Sequence, residues 1–220
     1  MSALGVLGTG TVGQAIARRA AEVGYQVTVG ARTAASPSLG PFAGDETITT
    51  GSFADAIRSA PMVVNATSGS ASVTALGSAG AEALHGKVVL DLANDLAPVA
   101  EGYPRPVAAP DQSLGRQIQR AFPHAHVVKA LNTMNAQIMI RPNLIPGDHL
   151  AFLCGDSPDA KDEVSTLLRA FGWREPQLMD LGGIDAAVAT EMMMDVWMRV
   201  TILRGPGAPR FNWAVLSAPA

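Results

Sequence analysis

A single cysteine, Cys154, stands in 220 residues, so the chain has no internal disulfide framework and fits a reducing compartment. Charge is sparse at 16%, and the net charge of -3 gives no global reason to expect nucleic acid. No run of about 20 apolar residues occurs, so the pattern of a membrane-spanning helix is missing. The apolar N-terminus also lacks the basic start of a signal peptide. A cytoplasmic setting is expected, with neither nucleic acid nor membrane as partner. The four histidines His85, His124, His126 and His149 are scattered, and with one cysteine they form no recognisable metal-ligand set. Apolar residues, by contrast, reach 48%. That much apolar surface beside so little charge implies a homo-oligomer that buries part of it.

Short apolar runs alternate with helical segments along the chain. Strands are expected at Ala3–Leu7, Gln26–Val29, Thr47–Thr50, Met62–Ala66, Lys87–Leu92, His126–Leu131, Leu150–Cys154 and Gln177–Leu181. Helices are expected between them, from Thr11–Val23 to a long one at Asp185–Leu203. The segments Thr33–Glu46 and Pro98–Pro110 read as loops. This alternation predicts an α/β fold with a doubly wound, parallel, Rossmann-type sheet and a small C-terminal α/β lobe. The boundary is placed after the strand ending at Leu131. It gives a nucleotide-binding domain at 1–134 and a lobe at 135–220 that holds the acceptor site and oligomer contacts.

The stretch "LGTGTVG" carries Gly8, Gly10 and Gly13 in the pattern G-x-G-x-x-G, after a strand and opening a helix. Gly8 allows the tight turn, Gly10 lets a pyrophosphate approach the backbone, and Gly13 lets the helix pack on the strand. The N–H groups of Thr9, Thr11 and Val12 then face the phosphates at the helix N-terminus. In an NAD site the following strand would end in an acid that accepts from the ribose 2′-OH. Here it ends Val29-Gly30-Ala31-Arg32-Thr33. Arg32 is suited to stack on adenine and pair with a 2′-phosphate, and Thr33 and Ser36 can donate further hydrogen bonds. The expected cofactor is therefore NADP(H).

Ligands in such sheets lie beyond the carboxyl ends of the strands. Those ends read "NATSG", "LANDL" and "LNTMN". They place Ala66, Thr67, Ser68 and Asn94 toward the nicotinamide half, and Asn132 and Thr133 toward a second ligand. An alcohol-oxidising enzyme would need a proton acceptor, often Lys, His or Tyr. None of the histidines lies at a carboxyl end of a strand, and no Tyr-x-x-x-Lys pair exists. Lys129 lies inside a strand from which it could point into the site. No catalytic side chain is assigned. Hydride exchange between two bound ring systems is consistent with that lack, since it needs binding and orientation more than acid–base help.

Four segments, "GVLGTGTVGQAIARRAAEVGYQVTVGART", "VVKALNTMNAQIM", "FLCGDSPDAK" and "LMDLGGIDAA", resemble the F420-dependent NADP oxidoreductases in order and spacing. The resemblance implies a homodimer that passes hydride between NADPH and the deazaflavin coenzyme F420. It further implies pyrophosphate contacts at Thr9, Thr11 and Val12 and 2′-phosphate contacts at Arg32 and Thr33. The deazaflavin would lie near Met134, Asn135 and Ile138, with the turn Gly205–Pro209, including Pro206, close by. Arg105, Arg116, Arg120, Lys129, Arg141, Arg199, Arg204 and Arg210 cluster in two segments, which suits an anionic coenzyme tail. Three features depart from the family pattern. The loop after Arg32 lacks further basic residues, "VVNATSG" replaces an apolar strand ending in Pro, and "TEMMMDVWMRV" is rich in Met. On that helix Met193, Trp197 and Val200 share a face, which reads as core or dimer contact. Two alternatives stand beside this reading. One is an NADPH-dependent reductase of a flavin, ferric chelate or small carbonyl or imine compound. The other is a non-catalytic NADP(H)-binding redox sensor.

Overall fold

The structure, a computed structural model, describes residues 2–109 and 111–218. Chain order is β1 (Ala3–Leu7), α1 (Thr11–Glu22), β2 (Gln26–Ala31), β3 (Ile48–Ser52), α2 (Phe53–Ser59), β4 (Met62–Asn65), α3 (Ser72–Leu76) and β5 (Val88–Asp91). There follow β6 (Leu96–Ala97), β7 (Arg105–Pro106), α4 (Leu114–Ala121), β8 (His126–Ala130), α5 (Ala136–Ile140), β9 (Ala151–Gly155), α6 (Pro158–Phe171), β10 (Leu178–Asp180) and α7 (Ala187–Arg204).

Eight strands form one sheet in the order β10-β9-β8-β5-β4-β1-β2-β3. All pairs are parallel except β8 with β9. The strands read as almost unbroken apolar runs because both faces are covered. Val6, Val29, Val64, Leu90 and Val128 point toward α1, α5 and α6, where they meet Ile16, Ile138, Val164 and Phe171. Leu7, Val63, Val89 and Val127 point the other way, onto Ile57, Leu76 and Ile118 of α2, α3 and α4. Strand order reverses at β1, whose neighbours are β2 and β4, and this is the switch point at which such sheets receive ligands.

The expected doubly wound α/β architecture is present, with several local differences. The boundary expected after residue 134 falls within a continuous sheet, because β9 of the C-terminal part hydrogen-bonds onto β8 and β10 onto β9. The reversal of β9 follows from its connection. Residues 131–150 contain only the five-residue α5 and a three-residue 3-10 turn, whereas a parallel return calls for a long crossover. The helix expected from Ser70 to Leu84 breaks into α3 and short 3-10 turns, because Gly80 adopts φ +85 and interrupts the ladder. The loop expected at Pro98–Pro110 contains β7, which pairs antiparallel with β6; Pro110 lies outside the described residues. Among the described residues no helix is long and apolar enough to cross a membrane, and no cluster of three or more His, Cys, Asp or Glu could hold a metal.

Candidate active site

The glycine turn joins β1 to α1 at the switch point. Gly8 adopts φ +114, and a Cβ there would fall on the carbonyl of Ala66, at the end of β4. A Cβ at Gly13 would fall on the carbonyl of Gly8, so α1 packs against the turn with no side chain between. Gly10 differs, since nothing in the protein lies within 4 Å of a Cβ built there. It is the N-cap of α1 and offers no side-chain cap, and the first turn holds no acid. The helices α2, α4, α5 and α6, in contrast, are capped by the side chains of Ser52, Ser113, Asn135 and Ser157. The open face of Gly10 and the uncapped N–H groups beside it fit an incoming phosphate.

Two adjoining clefts flank this turn. One, of about 420 Å³, is lined by Gly8, Thr9, Gly10, Arg32, Phe53 and Ala66–Ser68, with α3 residues beyond. The other, of about 280 Å³, is bounded by Gly8, Thr9, Arg32, Ser36 and Ser38. Gly8, Thr9, Gly10, Arg32, Ser36, Ala66, Thr67 and Ser68 are thus brought together as the sequence implied. Thr11 opens instead onto a cleft on the far side of α1 with Arg18, Arg19 and Arg141, and Val12 packs partly on the core. Thr33 is exposed beyond the strand end and lines neither cleft.

A hydrogen-bonded shelf extends along the carboxyl ends of β4, β5 and β8. Asn65 Nδ2 donates to Asp91 Oδ1 at 2.8 Å and to Ser72 Oγ at 2.9 Å. Its Oδ1 accepts from Thr67 Oγ1 at 2.7 Å. Asn94 accepts from Gly69 N at 3.2 Å through its carbonyl; its Nδ2 donates to the Asn132 backbone carbonyl and its Oδ1 accepts from Asn132 Nδ2, both at 2.9 Å. Leu131 then turns the chain with φ +60, a left-handed conformation rare for a branched side chain, and such outliers gather at functional sites.

Beyond this turn Asn132, Thr133, Met134 and Ile138 are all buried, and Ile138 is fully so. The expected ligand contact is therefore not available to the Ile138 side chain in this conformation. Asn135, half-buried, lines a further cleft with Trp197, Thr201, Arg204, Gly205, Arg210 and Phe211. Pro206 is exposed in the turn just outside this lining, where Gly205 and Pro209 take its place. Trp197 and Phe211 stack with centroids 6.0 Å apart, and Arg204 lies 5.5 Å from the Phe211 ring. The C-terminal tail closes this wall: Trp213 Nε1 donates to Thr133 O at 3.1 Å, and Leu150 N donates to Trp213 O at 2.8 Å. The sequence reading gave Trp197 to core or oligomer contacts and overlooked Phe211. Only the return of the tail over the connection between β8 and β9 makes them neighbours, and no local pattern encodes that return.

Lys129 does not reach any cleft. It is fully buried, 2.8 Å from Asp91 Oδ2 and 3.1 Å from Glu191 Oε1, and it also donates to Ala93 O. Burial opposes its charge, but the two carboxylates outweigh this and raise its pKa. With all three N–H bonds engaged, it is removed as a substrate base. Cys154 pairs beside it on β9, and burial pushes its thiol up to about 12. At pH 8 the thiolate fraction is on the order of one in ten thousand. Native protein should therefore resist iodoacetamide until denaturant is added; rapid alkylation of the native chain, counted by intact mass, would contradict this burial.

The family profile described as NADP oxidoreductase, coenzyme F420-dependent, matches residues 3–95. A crystal structure of a candidate F420-dependent NADP-reductase from Arthrobacter sp. FB24 is 40% identical, with a TM-score of 0.90 over 99% of this chain and 100% of that one. Metalloreductase STEAP3 of Rattus norvegicus is 26% identical over 204 residues, covering 91% of this chain. This chain spans only 38% of the length of that curated relative. A reductive aminase from Aspergillus terreus, solved in complex with NADPH and ethyl levulinate, shares the fold at 19% identity and a TM-score of 0.64, over 90% of this chain and 61% of that one. The sheet, its glycine turn and an end-to-end match at 40% identity converge: the chain belongs to the coenzyme F420-dependent NADP oxidoreductase family and is an NADP-dependent oxidoreductase.

Proposed function

We propose that the protein transfers hydride between NADPH and a deazaflavin, coenzyme F420. In this reading Thr9, Gly10 and the first N–H groups of α1 hold the pyrophosphate, and Arg32 with Ser36 holds the 2′-phosphate. Ala66, Thr67 and Ser68 form the floor for the nicotinamide half, with Asn94 behind them. Bound NADPH would supply the hydride from nicotinamide C4, and the acceptor ring carbon would receive it. Asn135, Trp197 and Phe211 would flank the acceptor, and Arg204 and Arg210 would meet its anionic tail. Exposed apolar side chains on α7, among them Met192 and Val196, support a second copy of the chain as the partner on that side.

The observation that carries this reading is the chemistry of the two walls. One wall combines stacked aromatic rings with two arginines. Among the described residues lining either wall there is no Lys, His, Tyr or carboxylate. Such walls bind and orient flat rings and leave little for proton transfer. Mixing the protein with NADPH and oxidised F420 should bleach the deazaflavin with one NADPH consumed per acceptor. Parallel mixtures with FMN and with a ferric chelate should run far more slowly. Faster turnover of either would transfer the assignment to that acceptor class, and tight NADPH binding without turnover would favour a sensor.

A further inference from the structure

The buried Lys129 group does more than neutralise itself. Asp91, Lys129 and Glu191 come from β5, β8 and α7, and each is at most 2% exposed. Glu191 Oε2 and Oε1 accept from Leu114 N and Gly115 N at 2.8 and 3.0 Å, so the same carboxylate also caps α4. On the other side, Asp91 Oδ1 accepts from Ala93 N at 3.1 Å and from the Asn65 amide at 2.8 Å. An ionised Asp91 can only accept, so the Asn65 NH₂ must face it. The Asn65 carbonyl then faces Thr67, whose hydroxyl and backbone N–H both donate to it, at 2.7 and 3.3 Å. A continuous path therefore leads from α7, which carries Trp197 and Arg204 of one cleft, to the Ala66–Ser68 turn of the other.

We propose that Lys129, Asp91 and Glu191 are positioning residues: an ionic strut that fixes the Thr67 turn, and with it the nicotinamide half of the cofactor, relative to α7. The proposal rests on the reading that nicotinamide lies over Ala66–Ser68. It follows that loss of the Asp91 acceptor frees the Asn65 amide to rotate and withdraws the Asn65 carbonyl from the Thr67 turn. The adenine half, held beyond β2, is untouched.

The test uses the neutral, near-isosteric triple variant Lys129→Met/Asp91→Leu/Glu191→Gln, which leaves no charge stranded and removes the acceptor that faces Asn65. Thr67→Val and its conservative counterpart Thr67→Ser cut and restore the far end of the path. Two ligands separate the halves of the site: 2′,5′-ADP reports the adenine half, and the fluorescence gained by NADPH on binding reports immobilisation of the dihydronicotinamide ring. The triple variant and Thr67→Val should bind 2′,5′-ADP within twofold of wild type yet lose at least half of the NADPH fluorescence gain. Thr67→Ser should retain it. A full fluorescence gain in the folded variants would overturn the proposal, as would an equal loss of 2′,5′-ADP binding, which marks general disruption. If the triple variant does not fold, Asn65→Leu decides by the same two readouts, since Asn65 is buried inside the path and does not line the cleft. A wild-type protein that binds 2′,5′-ADP but gives no NADPH fluorescence gain would instead overturn the placement of nicotinamide, and the strut's role with it.

Discussion

Arg32→Ala should weaken NADPH binding roughly 10- to 100-fold and leave NADH binding nearly unchanged. Among the described residues the guanidinium is the only charge lining either cleft beside the glycine turn, and Ser36 and Ser38 stand with it. A charge-assisted hydrogen bond contributes about 1.5–3 kcal/mol, and each 1.4 kcal/mol is about tenfold in affinity. NADH lacks the 2′-phosphate and so has nothing to lose there except stacking on the guanidinium. Titration of both cofactors against wild type and variant measures the ratio directly. Equal losses for the two would mean that Arg32 serves the adenine ring or the fold instead of the phosphate.

Gly10→Val and Gly13→Ala should separate binding from folding. Nothing in the protein opposes a side chain at Gly10, so the melting temperature of Gly10→Val should stay within about 2 °C of wild type. Its side chain would nonetheless occupy the approach of the pyrophosphate, and NADPH affinity should fall at least about tenfold. Gly13→Ala adds only a methyl group, but that group falls on the Gly8 carbonyl. The helix must back away from β1, so both the melting temperature and NADPH affinity should drop, with a cost of about 1–3 kcal/mol expected for overpacking. Thermal denaturation and cofactor titration on the same two variants check this. A Gly10→Val protein that binds NADPH normally would remove the pyrophosphate from this turn.

These expectations trace back to features the sequence displays locally. The β1–α1–β2 unit was legible because its glycines, its apolar strands and Arg32 lie within about thirty consecutive residues. Strand ends such as Asn65–Ser68 were legible from the change of apolar to small polar residues. The Lys129 strut was not, because its partners Asp91 and Glu191 are 38 and 62 positions away in sequence and only the sheet order brings them together. The residue read as able to point into the site proves to be a buried structural ion. The aromatic cleft was hidden for a similar reason. Trp197 sits on a helix whose Met-rich pattern reads as packing, and Phe211 belongs to a tail with no periodicity. The β6–β7 pairing joins strands of two residues each, too short to imprint an alternation.

The proposed chemistry can be followed by its isotope. NADPH carrying deuterium at both nicotinamide C4 positions, mixed with the protein and oxidised F420 in ordinary water, should deliver one deuterium to the reduced deazaflavin carbon. The mass of the product reads the outcome directly. Retention of one deuterium per molecule is the result that direct transfer between two bound rings predicts. Reduced F420 carrying only solvent hydrogen, or NADPH left unoxidised beside F420, would contradict it.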